Sequence, residues 1–326
     1  MVGCTNSQSM LQWLRKKGEA IFYGNNLMDE LLRIEGVNMS FGRFHILKNV
    51  NMTVHKGDIY GFVGRNGAGK TTLIRAITGL ITPQSGTIEL NINKKKKGII
   101  SAIVEAPAIK AGLTGYNNLR LQAMLLGIKD YDQKIKDTLA LVDLPNDNKK
   151  AGNYSLGMRQ RLAIACAMLG EPELMILDEP ANGLDPKGMV EMRELIIKLN
   201  KEKGVTFIIS SHILAELDKM ATTYGFIEDG VIIKEIDANE IHTNTETEYI
   251  YKVNTIEGVK EVLETKFNAA CKIVDDNTFT TNKEIDSLDL GLALREIGVK
   301  IESFEQKKEE LEDYFINLLK GDDQNA

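Results

Sequence analysis

The sequence predicts an α/β fold in which a mostly parallel sheet is covered by helices on both faces. Three short stretches are apolar almost throughout, at 58–64 (DIYGFVG), 173–178 (ELMILD) and 205–211 (VTFIISS), and helical patterns separate them. Strands buried on both faces have such continuous apolar runs, and helices supply the crossovers between parallel neighbours. The composition agrees, because 43% hydrophobic and 26% charged residues are ordinary values for a globular chain.

The first elements are predicted to be antiparallel strands. Residues 31–41 (LLRIEGVNMSF) and 45–55 (HILKNVNMTVH) alternate apolar and polar side chains on either side of a short turn, and 85–90 (SGTIEL) is a further strand. A period of two is typical of half-buried strands. We therefore expect an antiparallel β subdomain attached to the main sheet.

Helices dominate the next part of the sequence. Helical patterns fill residues 114–145, with a break near GIKDYD at 127–132, and continue to about residue 170. This indicates a helical subdomain inserted into the α/β fold. Further on, FIEDGVIIKEI at 226–236 has an Asp-Gly pair between apolar runs, which is typical of a β-hairpin.

The composition changes after residue 240. IHTNTETE at 241–248 is polar and typical of a linker. Beyond it, strand and helix patterns alternate up to a final helix, EELEDYFINLL, and no catalytic constellation is recognisable. We expect a main domain at 28–240 and a small C-terminal α+β accessory domain at 241–326.

Residues 1–27 are expected to be a non-native or disordered extension. They contain no apolar core of signal-peptide length before Cys4, so secretion and lipoprotein anchoring are not expected. Met28 precedes a stretch that is typical of a domain start. The alternative is a short amphipathic helix, LQWLRKKGEAIF, that contacts a partner or a lipid surface.

Charge and cysteine content exclude several classes of protein. The net charge of −6 argues against nucleic acid as a partner. Cys4, Cys166 and Cys271 show no Cys-x-x-Cys spacing, which argues against a disulfide framework and a zinc site. No run of 18 apolar residues occurs, so no membrane-spanning helix is expected.

A phosphate-binding loop is the strongest single motif. GRNGAGKT at 64–71 matches G-x-x-x-x-G-K-[ST], directly follows a predicted strand and opens a predicted helix. The glycines let backbone N–H groups turn towards an anion, Lys70 reaches the β- and γ-phosphates, and the Thr71 hydroxyl ligates Mg²⁺. The predicted ATP contacts are Gly64, Arg65, Asn66, Gly67, Ala68, Gly69, Lys70, Thr71 and Thr72.

Two carboxylates end the apolar strand LMILDEP at 174–180. A carboxylate at the end of a buried strand needs a partner, and Asp178 would find one in the shell of a Mg²⁺ ion at the phosphate loop. Glu179 would then orient and deprotonate the attacking water. The alternative is that both residues cap the next helix.

These features belong to an ordered set of motifs that resembles the nucleotide-binding subunit of ABC transporters. The resemblance covers residues 31–237. It implies that Phe41 stacks on adenine, that Glu105 in AIVEAPA occupies the Q-loop position and ligates Mg²⁺ or orients water, and that His212 is the switch histidine that contacts the γ-phosphate. Phe41 as a core residue and His212 as a structural histidine are the alternatives.

The resemblance also explains a second candidate anion site in the sequence. NYSLGMRQR at 153–161 opens an apolar helix and resembles the signature motif, of which Ser155 and Gly157 are kept. The resemblance implies that these two residues contact the γ-phosphate of an ATP held by another copy. Asp185 in ANGLDP resembles the D-loop residue; it could also be an ordinary helix N-cap before a proline.

The resemblance also implies the function and the partners. It predicts an ATPase with ATP and Mg²⁺ as cofactors, a second nucleotide-binding subunit (a homodimer), an integral membrane permease, and a place on the cytoplasmic face of the membrane. Glu105 and the stretch SLGMRQR resemble the corresponding motifs of the subfamily that exports lantibiotics and bacitracin. The alternatives are a soluble ATPase that remodels a macromolecule and a regulatory nucleotide-binding module without catalysis.

Overall fold

The described part of the chain contains both strands and helices. A computed structural model of the chain describes residues 30–92, 98–104, 108–244, 247–308 and 311–322. The extension predicted at 1–27 and the predicted site residue Glu105 lie outside these residues. The strands are β1 Glu30–Phe41, β2 Phe44–His55, β3 Ile59–Gly64, β4 Ser85–Leu90, β5 Ile100–Ile103, β6 Leu174–Asp178, β7 Thr206–Ser211, β8 Thr223–Glu228, β9 Val231–Asp237, β10 Thr247–Val253, β11 Lys272–Asp275, β12 Thr278–Thr281 and β13 Ile301–Lys308. The helices are α1 Lys70–Ile77, α2 Gly115–Leu126, α3 Tyr131–Leu141, α4 Leu156–Met168, α5 Pro186–Lys203, α6 Leu214–Leu217, α7 Ala238–Asn244, α8 Val259–Phe267, α9 Ser287–Glu296 and α10 Leu311–Asp322, with a 3₁₀ turn at Ala151–Asn153.

The main sheet has six strands in the order β5-β6-β7-β3-β8-β9. All neighbouring pairs from β5 to β8 are parallel, and β9 is antiparallel to β8. The central strands are buried on both faces, since Phe207 and Ile209 of β7 pack into one apolar cluster while Ile208 packs into the other. This is why their sequences are apolar without alternation, and the prediction of a parallel α/β core is confirmed.

Two subdomains flank this sheet as predicted. Strands β2, β1 and β4 form an antiparallel sheet in that order. The helices α2, α3 and α4 build the helical part. The break between α2 and α3 falls at Gly127, which ends α2 in the left-handed conformation with φ 73°, a position that favours glycine. Among the described residues, no helix is both long enough and apolar enough to cross a bilayer.

The described residues of the stretch predicted as a linker, 241–244 and 247–248, form secondary structure instead. Helix α7 runs to Asn244 and β10 starts at Thr247. The Asp237 carboxylate accepts a hydrogen bond from the Asn239 N–H at 2.7 Å and so caps α7. Ala238 and Ile241 anchor the helix because both are buried in the core of the main sheet. Polar neighbours obscure these two anchors in the sequence.

The accessory domain has a topology that the strand patterns did not reveal. Its elements follow the order β-α-β-β-α-β from β10 to β13, and the antiparallel sheet has the order β11-β12-β10-β13. This is the ferredoxin-like arrangement. A separate apolar cluster that includes Tyr251, Phe279 and Leu290 forms its core.

The last helix returns from the accessory domain to the main domain. Although α10 falls within the range predicted for the accessory domain, Leu311 and Phe315 belong to the apolar cluster of the main sheet. The Phe315 ring stacks on Phe226 of β8, with a distance of 5.5 Å between the ring centroids. The ferredoxin-like part therefore lies between two segments that pack on the main domain.

The packing of the main sheet generates a prediction about Gly225. A Cβ atom at this position would lie 1.9 Å from Tyr60 Oη and 2.5 Å from Tyr60 Cζ, and Tyr60 is fully buried with its hydroxyl donating to Glu235 at 2.7 Å. We expect Gly225→Ala to lower the free energy of unfolding by about 1–3 kcal/mol, the usual range for overpacking, as measured by urea denaturation.

Gly291→Ala is the matched control. Gly291 lies within α9, has no left-handed φ, and a Cβ atom there would meet nothing within 4 Å. The same substitution should therefore stabilise the protein by up to about 1 kcal/mol through helix propensity. Equal denaturation midpoints for Gly225→Ala and the unsubstituted protein would contradict the packing described for Tyr60.

Candidate active site

The phosphate loop connects the end of β3 to the start of α1. Gly67 and Gly69 adopt left-handed backbone with φ 88° and 110°, which favours glycine. A Cβ atom on Gly69 would also lie 3.0 Å from Leu47 Cδ2 and 3.2 Å from the Ile46 carbonyl oxygen. The loop geometry that the motif predicts therefore depends on glycine at these two positions.

The N-terminus of α1 is free to receive an anion. Gly69 provides no side-chain cap, and the first turn contains no acidic residue. Uncapped N–H groups and the helix dipole together favour a bound phosphate. Residues Arg65, Asn66 and Gly67 at the tip of the loop are exposed, whereas Ala68 is buried.

Lys70 is held inside the loop. Its Nζ donates hydrogen bonds to the carbonyl oxygens of Gly64 at 2.5 Å and Arg65 at 3.1 Å. Burial lowers the pKa of Lys70, and the nearby carboxylates of Glu179 and Asp178 oppose this effect. The ammonium group is thus partly stripped of water and placed where a phosphate could replace the carbonyl oxygens.

Asp178 connects three elements at the carboxyl edge of the sheet. Its Oδ2 accepts a hydrogen bond from Thr71 Oγ1 at 3.2 Å, and its Oδ1 accepts one from the Ser210 hydroxyl of β7. The alternative in which Asp178 and Glu179 cap the next helix is wrong, because the N-cap of α5 is Asp185. The carboxylate and the Thr71 hydroxyl form a pair of oxygen atoms beside the phosphate loop.

Glu179 and His212 form the second polar pair of the site. Glu179 Oε2 lies 2.7 Å from His212 Nδ1 and accepts a hydrogen bond from the His212 backbone N–H at 3.3 Å. Glu179 has a left-handed φ of 53°, a conformation that costs energy for this residue type and is typical of functional sites. Its backbone N–H donates to the Ser210 carbonyl oxygen at 3.1 Å, which fixes this conformation.

Ser155 and Gly157 lie at the start of α4, where Ser155 is exposed and Gly157 is half-buried. The Ser155 hydroxyl accepts a hydrogen bond from the Met158 N–H at 3.2 Å and so caps the helix. A Cβ atom on Gly157 would meet only Leu184 Cδ2, at an ordinary 3.7 Å, and Gly157 has no left-handed φ. The fold of this chain therefore does not require a glycine here. Within the described residues, no hydrogen bond joins Ser155 to the phosphate loop.

Phe41 is an exposed residue, and Asp185 is the N-cap of α5. Phe41 is 51% exposed at the end of β1 and belongs to no core cluster of the described residues, so its alternative role as a core residue is wrong. Asp185 Oδ1 accepts a hydrogen bond from the Gly188 N–H at 3.0 Å, as the N-cap alternative predicts. Asp185 also lies next to the exposed loop that leads into α5.

Two polar residues of the site were not identified from the sequence. The Ser210 hydroxyl donates a hydrogen bond to Asp178. A carboxylate oxygen of Glu228, at the end of β8, lies 3.5 Å from Arg65 Nη1. Its charge opposes the lowering of the Lys70 pKa by burial. The second carboxylate oxygen of Glu228 is buried and has no hydrogen-bond partner in the described part of the chain. Both residues could have been identified from their position at the carboxyl ends of strands in the same parallel sheet.

Known proteins share this fold and these motifs. The family model described as ABC transporter matches residues 47–182. The bacitracin transport ATP-binding protein BcrA of Bacillus licheniformis is 37% identical over 303 residues, which are 90% of this chain and 99% of the relative. The lantibiotic transport ATP-binding protein SrtF of Streptococcus pyogenes is 41% identical over 216 residues, 64% of this chain and 93% of the relative.

Solved structures show the same architecture. The ATP-binding subunit of an ABC transporter superimposes with a TM-score of 0.58 at 29% identity, covering 65% of this chain and 92% of the other. An ATP-binding cassette of an ABC transporter in its ADP conformation gives a TM-score of 0.57 at 25% identity, with 66% and 95% covered. The shared part accounts for about two thirds of this chain.

The position of Ser210 generates a prediction. Ser210→Ala removes the hydrogen bond to Asp178. If Asp178 holds a metal ion as the sequence predicts, this should lower kcat for ATP hydrolysis roughly 10–100-fold, the usual effect of losing an outer partner of a metal ligand, while ATP binding changes little. Steady-state kinetics and a nucleotide-binding titration measure both quantities. Ser101→Ala is the control, because Ser101 in β5 donates to the Ala167 carbonyl oxygen, away from Asp178. An unchanged kcat in Ser210→Ala would show that the hydrogen bond from Ser210 to Asp178 does not support hydrolysis.

Proposed function

This chain belongs to the ATP-binding subunits of ABC transporters, and we propose from that premise that it powers the export of a peptide antibiotic through a separate membrane subunit. As such a subunit it binds and hydrolyses ATP. The observation that carries the proposed cargo is the similarity to the bacitracin transport protein, which extends over 90% of this chain and so includes most of the accessory domain. The similarity to a lantibiotic transport protein points to the same class of cargo.

The residues at Asp178 fit a Mg²⁺ ion. A hydroxyl and a carboxylate oxygen, Thr71 Oγ1 and Asp178 Oδ2, lie 3.2 Å apart beside the phosphate loop. Mg²⁺ prefers oxygen ligands and is commonly held by one or two protein side chains together with substrate phosphates. When bound, the ion would neutralise phosphate charge. Glu105 is proposed as a further contact of the ion or its water on the motif resemblance alone.

Glu179 is proposed as the base that acts on the attacking water. Its carboxylate is partly buried and hydrogen-bonded to His212, so its second oxygen is left to accept a proton from water. His212 holds this carboxylate and presents its other ring nitrogen towards the γ-phosphate. Lys70 and the N–H groups of α1 would hold the phosphates in line for the reaction.

We propose that the site is completed by a second copy of the chain. Ser155 is exposed and Gly157 is half-buried, and the absence of any internal need for glycine at 157 supports a close approach from outside. In the dimer these residues would contact the γ-phosphate of the ATP held by the partner, with Asp185 at the same interface. Phe41, exposed on the β subdomain, would stack on the adenine ring.

The helical subdomain offers a surface for the membrane subunit. Leu121, Met124 and Leu125 of α2 lie on one helix face and are 38%, 61% and 68% exposed. A contiguous exposed apolar stripe is typical of a protein–protein contact. We propose that the permease docks here, which places the chain on the cytoplasmic face of the membrane as a peripheral subunit.

Glu179→Gln tests the catalytic role and the dimer together. The variant should lose turnover by roughly 10²–10⁴-fold, since an amide cannot take a proton, and should elute as an ATP-bound dimer on a sizing column. Adding Gly157→Glu should abolish that dimer while ATP binding persists. Hydrolysis at the unsubstituted rate would show that Glu179 is not the base, and a dimer that survives Gly157→Glu would contradict the shared site.

Met124→Asp together with Leu125→Asp tests the docking surface. The substitutions place charges in the apolar stripe and should prevent co-purification of an integral membrane protein from detergent extracts, while ATP binding by the isolated chain is kept. Leu288→Asp is the control, because Leu288 is 70% exposed on the accessory domain. If the unsubstituted chain retains no membrane protein in the same experiment, a soluble ATPase becomes the better description.

A further inference from the structure

The accessory domain is attached to the main domain at both of its ends, and the two attachments meet. Its first and last strands, β10 and β13, are antiparallel neighbours in which Thr247 pairs with Lys308. The chain enters the domain from α7 and leaves it into α10. The connections to α7 and to α10 therefore start from neighbouring residues of the accessory sheet.

Helix α10 is fixed to the main domain by a small aromatic cluster. Phe226 of β8 contacts Tyr314 and Phe315, with centroid distances of 5.8 Å and 5.5 Å. Leu311 is 3% exposed and Phe315 is 7% exposed. One further contact ties α10 to the accessory side, an ion pair at 3.5 Å between Lys307 Nζ of β13 and Asp313.

The same helix packs against α6, the single turn that follows His212. Leu217 of α6 is fully buried and shares the apolar cluster of Leu311 and Phe315. Leu217 also leaves no room for a side chain on Gly61, where a Cβ atom would lie 2.8 Å from its Cδ2. The position of α6 is thus set by the sheet on one side and by α10 on the other.

Polar contacts fix α6 from its remaining side. Arg193 of α5 forms an ion pair with Glu216 at 2.5 Å, and the Tyr224 hydroxyl donates to Asp218 at 2.9 Å. The His212 side chain is 51% exposed. Apart from Glu179, no described residue forms a hydrogen bond with its ring. The direction of the imidazole therefore depends on Glu179 and on the backbone between β7 and α6.

We propose that Leu311 and Phe315 of α10 are positioning residues for the His212–Glu179 pair, so that the accessory domain controls ATP hydrolysis through α10 and α6. This inference rests on the proposed role of His212. Both residues act through the backbone at α6 and touch neither nucleotide nor phosphate loop. Loosening α10 lowers the rate of hydrolysis and leaves the affinity for ATP unchanged, because Lys70 and the phosphate loop lie in other elements.

Phe315→Ala in the full chain tests the proposal, with Ile316→Ala as the matched control. Ile316 is the next residue of the same helix and is 39% exposed. Phe315→Ala should lower kcat roughly 3- to 30-fold, the usual size of coupling between packed residues, without changing the dissociation constant for ATP. Phe315→Leu should restore most of the rate, because it keeps an apolar side chain in the cluster. Ile316→Ala should leave both quantities unchanged.

A double-mutant cycle with His212→Ala separates positioning from a general loss of structure. If α10 acts through His212, Phe315→Ala lowers kcat in the unsubstituted background and has no further effect in His212→Ala. Equal factors in both backgrounds would overturn the proposal. If His212→Ala itself leaves kcat unchanged, the proposed function of His212 fails instead, and the two failures are distinguishable.

A spectroscopic measurement keeps the test decisive if His212→Ala is too slow to measure. The chain has 4 histidines, and the His212 ring signals in an NMR spectrum are assigned by their loss in His212→Ala. They should shift in Phe315→Ala and stay in place in Ile316→Ala. Unshifted His212 signals in a folded Phe315→Ala protein would also overturn the proposal.

Discussion

The polar site of the main domain is organised around one carboxylate, that of Asp178. The other residues of β6, from Leu174 to Leu177, are buried, so the charge stands at the edge of an apolar layer where it needs partners. The hydroxyls of Thr71 and Ser210 supply them. Since these come from α1 and β7, the one carboxylate links the phosphate loop to the strand that leads to His212, two elements that the pairing of β6, β7 and β3 brings together.

The parts of the site that follow from local geometry could be predicted from the sequence. Gly67 and Gly69 are needed by the backbone of the loop itself, and Lys70 and Thr71 follow at fixed spacing. Ser210 could not be predicted, because its role depends on the register that pairs Asp178 with Ser210 in neighbouring strands. Two adjacent serines, 210 and 211, are equivalent in the sequence, and only strand pairing decides which one faces the carboxylate.

The same distinction explains the fold. The apolar runs of β3, β6 and β7 predicted a buried parallel sheet, because burial on both faces is written in each strand alone. The ferredoxin-like order of the accessory sheet is a pairing between distant strands and leaves no such local sign. The amphipathic pattern of α10 predicts that one face is buried without naming the surface that covers it. That surface turned out to be β8, almost ninety positions earlier in the chain.

Such an insertion is physically inexpensive. Paired strands lie about 5 Å apart, so joining α7 to α10 through Thr247 and Lys308 requires little rearrangement of the main domain, and closing a longer connection adds little entropy cost. The lantibiotic transport relative is matched over 93% of its length by 216 residues, which are 64% of this chain, so that relative has a shorter chain. Since its exit helix packs against α6 next to the exposed His212, the accessory domain lies against the part of the site for which we propose a role in hydrolysis.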